Sequence, residues 1–218
     1  MSSRPGPDLS LFVDILHALE EIDAPYVIIG AFAGTVYGIN RTTYDIDIVV
    51  DMSDEHVQQL VARYPAPRYY ADPEQMRNSL RQGIMFNIID GTRGEKADLM
   101  PVTRRPEYRH VLANRVRQPV VAPGAEPFDA WCARSEDVII GKLKAWAESG
   151  HRRHETDIYE MLVFHHLSAN PSTWIDLGAV DVAAAQEGEA VVDLWDKIKQ
   201  SSLHEAERQR QGTVRLYH

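Results

Sequence analysis

The sequence has a single cysteine and no long apolar run, and these absences exclude several classes of protein. One cysteine, Cys132, cannot build a disulfide framework or a four-cysteine zinc site. No apolar stretch approaches the roughly 20 residues needed to span a bilayer, and the first ten residues lack the apolar core of a signal peptide. We therefore expect a soluble, cytoplasmic protein without membrane association.

Common nucleotide-binding and hydrolase motifs are also missing. The sequence has no Walker loop, no GxGxxG and no GxSxG, so P-loop, Rossmann and α/β-hydrolase interpretations have no support. His151, His154 and Asp157 have a spacing that a helix could use for a transition metal. The intervening arginines and the missing fourth ligand favour an ordinary helix surface instead.

Charge is unevenly distributed along the chain. The formal net charge is −9, but the stretch from Val61 to Arg117 contains 11 lysines and arginines against 6 acidic residues. A basic segment on an otherwise acidic chain suits an anionic substrate bound to one face. The alternative is a solvated surface whose arginines pair with acids elsewhere, and charge alone favours that alternative.

Hydrophobic periodicity divides the chain into a mixed half and a helical half. Strands are predicted at 26–29, 44–51, 85–90, 96–101 and 118–122, and helices at 8–21, 54–63, 73–82 and 107–115, with Ser53 and Gly83 as caps. After a Pro/Gly-rich join near 123–134, helices are predicted at 135–149, at 154–167 and in weaker segments to about residue 204. We predict an α/β (α+β) fold: a mixed β-sheet core flanked by helices over 1–122, with a helical C-terminal region over 123–218 packed on it.

Two aspartates alternate with isoleucines in the predicted strand at 44–51. Successive side chains of a strand point to opposite faces, so Asp45 and Asp47 project together while Ile46 and Ile48 face the core. Neighbouring carboxylates repel each other unless a cation lies between them. Mg²⁺ suits this pair because it prefers hard oxygen ligands, and Mn²⁺ is an alternative. Phosphoryl and nucleotidyl transfer use such an arrangement.

A third carboxylate is expected on a neighbouring strand. In the segment KADLM, Asp98 alternates with apolar residues and can face the same side as the pair. Asp90, at the end of the preceding strand, is the competing candidate, and Asp98 is preferred. We predict that Asp98 completes the metal site with Asp45 and Asp47.

A strand-to-helix junction precedes the paired aspartates. Gly30 and Ala31 close one predicted strand and open a short helix, where backbone N–H groups can cradle a triphosphate. Arg41 and Thr43 could contact the substrate or a phosphate. For Arg41, the alternative is a solvent-facing turn residue.

These residues together resemble a known family. The run Gly30-Ala31, Tyr37-Gly38, Arg41, Thr43, Asp45-Ile46-Asp47 resembles the AbiEii-like (abortive-infection type) nucleotidyltransferases, a branch of the polymerase β-like superfamily that includes toxins of toxin–antitoxin pairs. The resemblance covers about residues 25–165. It departs from the family pattern at Ala31, where a second glycine or a serine is usual, and at Thr156, where a lysine is common.

The resemblance adds two residues from the helical half. SEDVIIGKLKAW is similar to a family helix whose lysine meets the triphosphate, which implies that role for Lys142. HETDIYEML is similar to a second family helix, which implies that Asp157 helps to orient that lysine or the nucleotide. Residue types alone allow a solvent-facing Lys142, and a surface salt bridge of Asp157 with Arg152 or Arg153.

We therefore predict a Mg²⁺-dependent nucleotidyltransferase that moves NMP from an NTP, such as ATP, to an acceptor. The acceptor is expected to be RNA such as tRNA, or a protein, and a cognate antitoxin or toxin is an expected partner. One alternative is a non-catalytic binding or regulatory partner with the same fold. Another is a small-molecule nucleotidyltransferase of the antibiotic type, and a third is a structural domain with incidental acids.

Overall fold

The computed structural model describes residues 10–41, 43–120, 127–170 and 174–215. The chain forms two compact units. The first comprises the described residues up to Phe32 together with those of Arg41–Arg134. The second comprises Ala33–Asn40 and the described residues from Ser135 onward. The predicted domain boundary between 122 and 123 lies outside the described residues and stays a prediction.

The first unit is built on one mixed sheet. Its strands in the described ranges are β1 (Tyr26–Ile29), β2 (Asp45–Val50), β3 (Tyr69–Tyr70), β4 (Phe86–Asp90), β5 (Glu95–Pro101), β6 (Val116–Val120) and β7 (Phe128–Cys132). The strand order is β3-β4-β5-β2-β1-β7-β6. Strand β2 is parallel to β5 and β1 is parallel to β7, whereas the other neighbours are antiparallel. The predicted α/β fold with a mixed sheet is confirmed.

Helices connect and flank these strands. They are α1 (Ser10–Glu21), α2 (Gly30–Val36), α3 (Asp54–Arg63), α4 (Pro73–Gln82) and α5 (Pro106–Ala113). The predicted caps are confirmed. The Ser53 hydroxyl accepts from the backbone N–H of His56, and the His56 ring accepts from the backbone N–H of Ser53, which satisfies two donors at the start of α3. Gly83 ends α4 in a left-handed conformation with φ of 71°.

The second unit is helical in its described part. It contains α6 (Ser135–Ser149), α7 (Arg152–Leu167), α8 (Leu177–Glu187) and α9 (Glu189–Arg215). Helix α7 packs against α6 and α9, and α8 packs against the same two helices. The core of this unit includes Ile139, Leu143, Ile158, Met161, Leu162 and Trp195. Within the described ranges, no helix is long and apolar enough to cross a bilayer.

Three features of the fold differ from the sequence-based expectations. Strand β7 was not predicted, because Asp129 is the single polar residue among its five and gives no period-two pattern. It lies in the expected join and pairs with both β6 and β1. Strand β3 was also missed, because two residues carry no periodic signal. Helix α9 continues to Arg215, about ten residues beyond the expected end of the helical pattern.

Candidate active site

The register of β2 and β5 places four charged side chains on one face of the sheet. Asp45 lies opposite Lys96, and Asp47 lies opposite Asp98. Residues that pair across neighbouring strands project to the same side, and so do residues two apart on one strand. We call this set (Asp45, Asp47, Lys96 and Asp98) the carboxylate face. On the other face of β2, Ile46 and Ile48 are fully buried, as the alternation predicted.

Asp98 is held from both sides by donors on the sheet. The residue as a whole is only 6% exposed. The Lys96 ammonium donates to Oδ2 at 2.7 Å, and the Asn87 amide, opposite Asp98 on β4, donates to Oδ1. Both carboxylate oxygens are therefore engaged, which satisfies a charge that would be costly to bury alone.

Lys96 is the residue of the carboxylate face that the sequence analysis did not name. The hydrogen bond with Asp98 raises the pKa of the Lys96 ammonium, and attraction from Asp98, Asp45 and Asp47 adds to that effect against the cost of burial. The ammonium is therefore the positive charge shared by the three carboxylates. Period-two alternation would have found it, because Lys96 is two residues from Asp98 on the same strand.

Thr43 orients the first aspartate of the pair. Its side chain is buried, and Oγ1 lies 2.9 Å from both the main-chain carbonyl and Oδ1 of Asp45. The hydroxyl has one proton and can donate to one of these oxygens at a time. Thr43 was predicted as a nucleotide contact, and that role stays a prediction. Arg41, also predicted to contact nucleotide, is exposed just before β2.

Asp47 packs against the junction between β1 and α2. Gly30, the first residue of α2, has φ of +67°, and a Cβ built on it would lie 2.2 Å from Oδ2 of Asp47. Only glycine combines that backbone conformation with such a close approach. The neighbouring Ala31 is half-buried in the first turn of α2. The predicted phosphate cradle at Gly30 and Ala31 stays a prediction.

Asp90, the alternative third acid, lies on the opposite face of the sheet from the carboxylate face. It pairs with Glu95 on β5. Glu95 is three residues from Asp98, and side chains an odd number of residues apart on a strand point to opposite faces. Its buried carboxylate accepts from the guanidinium of Arg68 at 2.8 and 3.1 Å and from the backbone and hydroxyl of Thr92. The Arg68 hydrogen bonds hold the pKa of Asp90 well below its usual value of 3.8. Asp90 therefore anchors the turn between β4 and β5.

The oxygen donors of the carboxylate face have the chemistry that Mg²⁺ or Mn²⁺ requires. Their present arrangement is different from a formed metal site. Among the described residues, no group of three or more His, Cys, Asp or Glu side chains is placed to hold a metal ion. Lys96 and Asn87 donate to the two oxygens of Asp98, and the Thr43 hydroxyl lies against an oxygen of Asp45. The residue types nevertheless fit a divalent cation.

The second unit contains a buried ion pair between two of the predicted site residues. Lys142 on α6 donates to Oδ2 of Asp157 on α7 at 2.6 Å, and the two side chains are 7% and 1% exposed. The alternative interpretation of Lys142 as a solvent-facing helix residue is therefore wrong. Asp157 accepts from Lys142, whereas residue types alone had suggested Arg152 or Arg153 as its partner.

Cys132 also has a defined environment. It lies in β7, buried without a disulfide. Burial raises the pKa of its thiol to about 12, so that the group stays protonated at neutral pH. We therefore expect this cysteine to be unreactive.

The fold is that of nucleotidyltransferase-like proteins. The chain is similar to an antigenic nucleotidyltransferase-like protein from Paracoccidioides brasiliensis, at 18% identity over 88% of this chain and 92% of that one, with a TM-score of 0.50. It is also similar to the antibiotic-resistance factor ANT(2'')-Ia, at 16% identity over 96% of each chain and a TM-score of 0.41. A third similar structure is a putative nucleotidyltransferase from H. pylori, at 14% identity over 89% and 94% of the chains and a TM-score of 0.36.

The family follows from the sequence itself. Residues 16–214 match the model of the nucleotidyl transferase AbiEii toxin of type IV toxin–antitoxin systems. The match spans most of the 218 residues, and the chain belongs to this family. The resemblance inferred from the Gly30-to-Asp47 motif is thereby confirmed. No curated protein sequence matched the chain.

Proposed function

We propose that this nucleotidyltransferase-family protein transfers NMP from an NTP to an acceptor in a reaction that depends on Mg²⁺ or Mn²⁺. The observation that carries the proposal is the register of two parallel strands, which puts Asp47 opposite Asp98 with Asp45 on the same face. Nucleotidyl transfer is also the activity for which the family is named. A carboxylate set of this kind is what a polyphosphate-bound cation requires.

The proposed reaction forms a bond between the acceptor oxygen and the α-phosphorus and breaks the bond to pyrophosphate. Bound divalent cations would neutralise the phosphates and activate the acceptor oxygen. Asp45 and Asp47 would hold the cations, oriented by Thr43 and by the close packing against Gly30. Asp98 would complete the set and accept the proton of the acceptor hydroxyl. These residues position and neutralise charge, and none of them forms a covalent intermediate.

The nucleotide contacts are part of the same proposal. The proposed ligands of the NTP are Gly30, Ala31, Arg41, Thr43, Lys142 and Asp157. In the first unit, the backbone of the β1–α2 junction would contact the phosphates. In the second unit, Lys142 would contribute positive charge and Asp157 would hold its ammonium in one position, as it does in the structure.

We propose RNA, such as tRNA, or a protein side chain as the acceptor, and an antitoxin as the partner. The type IV toxin–antitoxin family supports a partner of that kind. A cytoplasmic location, where NTP and RNA are available, belongs to this proposal. A small-molecule acceptor is the alternative within nucleotidyl transfer. A non-catalytic binding role is favoured by one observation, the engagement of both Asp98 oxygens by Lys96 and Asn87.

Label transfer tests this proposal directly. The purified protein is incubated with each α-³²P-NTP, Mg²⁺ or Mn²⁺, and total tRNA, with the protein itself as a second possible acceptor. We expect labelled RNA or protein with the parent chain and none with the Asp45→Ala/Asp47→Ala variant. Asp51→Ala, an exposed aspartate just after β2, is the matched control and keeps the activity. Absence of transfer from every NTP, with metal and nucleotide bound, would support the non-catalytic alternative or a small-molecule acceptor that the assay does not contain.

A further inference from the structure

Lys96 is placed to act as an internal cation in the carboxylate face. Its ammonium lies 2.7 Å from Oδ2 of Asp98, and its backbone position is directly opposite Asp45. Its side chain is 40% exposed, whereas that of Asp98 is 8% exposed, so the lysine reaches a buried charge from the solvent side. A long, flexible side chain in this position can leave without disturbing the strand that carries it.

The electrostatic balance of the face depends on this lysine. Three carboxylates on one face of two adjacent strands repel each other, and one ammonium reduces their summed charge from −3 to −2. A divalent cation that binds Asp98 through Oδ2 takes the oxygen to which the ammonium is now bonded. Two cationic groups on one carboxylate oxygen repel each other, so metal and ammonium exclude one another there.

We propose that Lys96 is the resident counter-ion of the metal-free protein and that it competes with the divalent cation for Asp98. Lys96 thereby sets the metal affinity of the site and keeps the carboxylate face folded when no metal is bound. The inference rests on the proposed function, because it takes the carboxylate face as the metal site. It adds a regulatory element to that site, since occupancy by metal requires release of the lysine.

The size of the effect follows from Coulomb's law. A cation that displaces the ammonium must break an ion pair whose charges lie 2.7 Å apart, and with the dielectric constant of water that attraction weakens metal binding roughly ten-fold. The lower dielectric of a partly buried site increases that factor. Lys96→Met is therefore expected to bind Mn²⁺ at least about ten-fold more tightly than the parent chain. Lys96→Arg keeps the charge and is expected to bind Mn²⁺ more weakly than Lys96→Met.

The first experiment measures binding of Mn²⁺ alone, without nucleotide, to the full chain by titration calorimetry. Lys144→Met is the matched control, because Lys144 has a similarly exposed side chain (45%) and pairs with Glu187. We expect tighter binding only for Lys96→Met, and no binding for Asp45→Ala/Asp47→Ala. In EDTA, Lys96→Met is expected to melt below the parent, and saturating Mn²⁺ is expected to reverse that difference. Equal or weaker Mn²⁺ binding by folded Lys96→Met overturns the proposal.

A second experiment uses the unmodified protein and so does not depend on the folding of a variant. Lysine acetylation by acetic anhydride is mapped by mass spectrometry with and without Mn²⁺. We expect the reactivity of Lys96 to rise several-fold when Mn²⁺ binds and that of Lys144 to stay constant. Unchanged reactivity of Lys96, or failure of the parent and all variants to bind Mn²⁺, overturns the proposal. Label transfer is scored separately, so loss of transfer with intact competition refutes only the proposed function.

Discussion

Substituting Lys142 by methionine is expected to destabilise the protein far more than substituting both members of its ion pair. Lys142→Met leaves the carboxylate of Asp157, 1% exposed, without its ammonium partner. Removing one partner of a buried pair typically costs about 3–5 kcal/mol, because the remaining charge stays desolvated. For a chain of this length, about 2–4 °C per kcal/mol gives a fall in melting temperature of roughly 6–20 °C.

The double variant Lys142→Met/Asp157→Val removes both charges and fills the same space with apolar atoms. Its unfolding free energy is expected to lie within about 2 kcal/mol of the parent, since an apolar replacement of a buried pair is often neutral. Urea unfolding of the parent, the two single variants and the double variant gives the coupling energy. A coupling below about 0.5 kcal/mol would refute the argument that the two charges depend on each other.

The same variants separate the structural role of the pair from its proposed role toward nucleotide. If Lys142 contacts the triphosphate, the stable double variant has lost NMP transfer although its fold is intact. If the pair only stabilises the packing of α6 on α7, the double variant keeps transfer close to the parental rate. The assay is label transfer at a temperature where all variants remain folded.

Two further predictions concern the sheet. Gly30→Ala is expected to cost more stability than Gly94→Ala. Both glycines have φ near +70°, a conformation in which alanine costs about 1–2 kcal/mol. Of the two, only a Cβ at position 30 would meet a neighbour, the carboxylate of Asp47. Equal melting temperatures of the two variants would contradict this, and Gly30→Ala is also expected to reduce transfer. Asp90→Asn is expected to destabilise the protein by about 2 kcal/mol at pH 7, because hydrogen bonds to a charged group are lost. The folded pKa of Asp90 is depressed, so this stabilisation is present above the unfolded pKa of 3.8 and is lost as the pH falls through the folded pKa. The melting temperatures of variant and parent are therefore expected to converge in acid. A difference in melting temperature that does not change with pH would contradict the assignment.

Local alternation was enough to predict the carboxylate pair, but not the way in which the third acid joins it. Asp45 and Asp47 share a face because they are two residues apart on one strand. That Asp98 lies opposite Asp47 depends on the pairing of β2 with β5, more than 40 residues later. The hydrophobic pattern of each strand specifies which face it buries, but the pairing of β2 with β5 also depends on the chain between them and on the other strands of the sheet.

The helical half shows a different limit of sequence reasoning. A lysine on an amphipathic helix is usually solvent-exposed, so periodicity alone could not place Lys142 in the interior. Its burial depends on Asp157, which reaches it from a neighbouring helix. Strand β7 was missed for a related reason, since its five residues include a single polar one, Asp129, and show no period-two alternation. Its identity as a strand comes from its partners, β1 and β6.

Both edges of the sheet in the described residues are poor templates for another chain. One edge is β3, which has only two residues, and the other is β6, in which Pro119 has no N–H to donate and Arg117 is exposed. Short edge strands, proline and charge hinder the addition of a foreign strand and so protect against edge-to-edge aggregation. A protein that associates with this unit is therefore expected to use side chains or helices rather than extend its sheet.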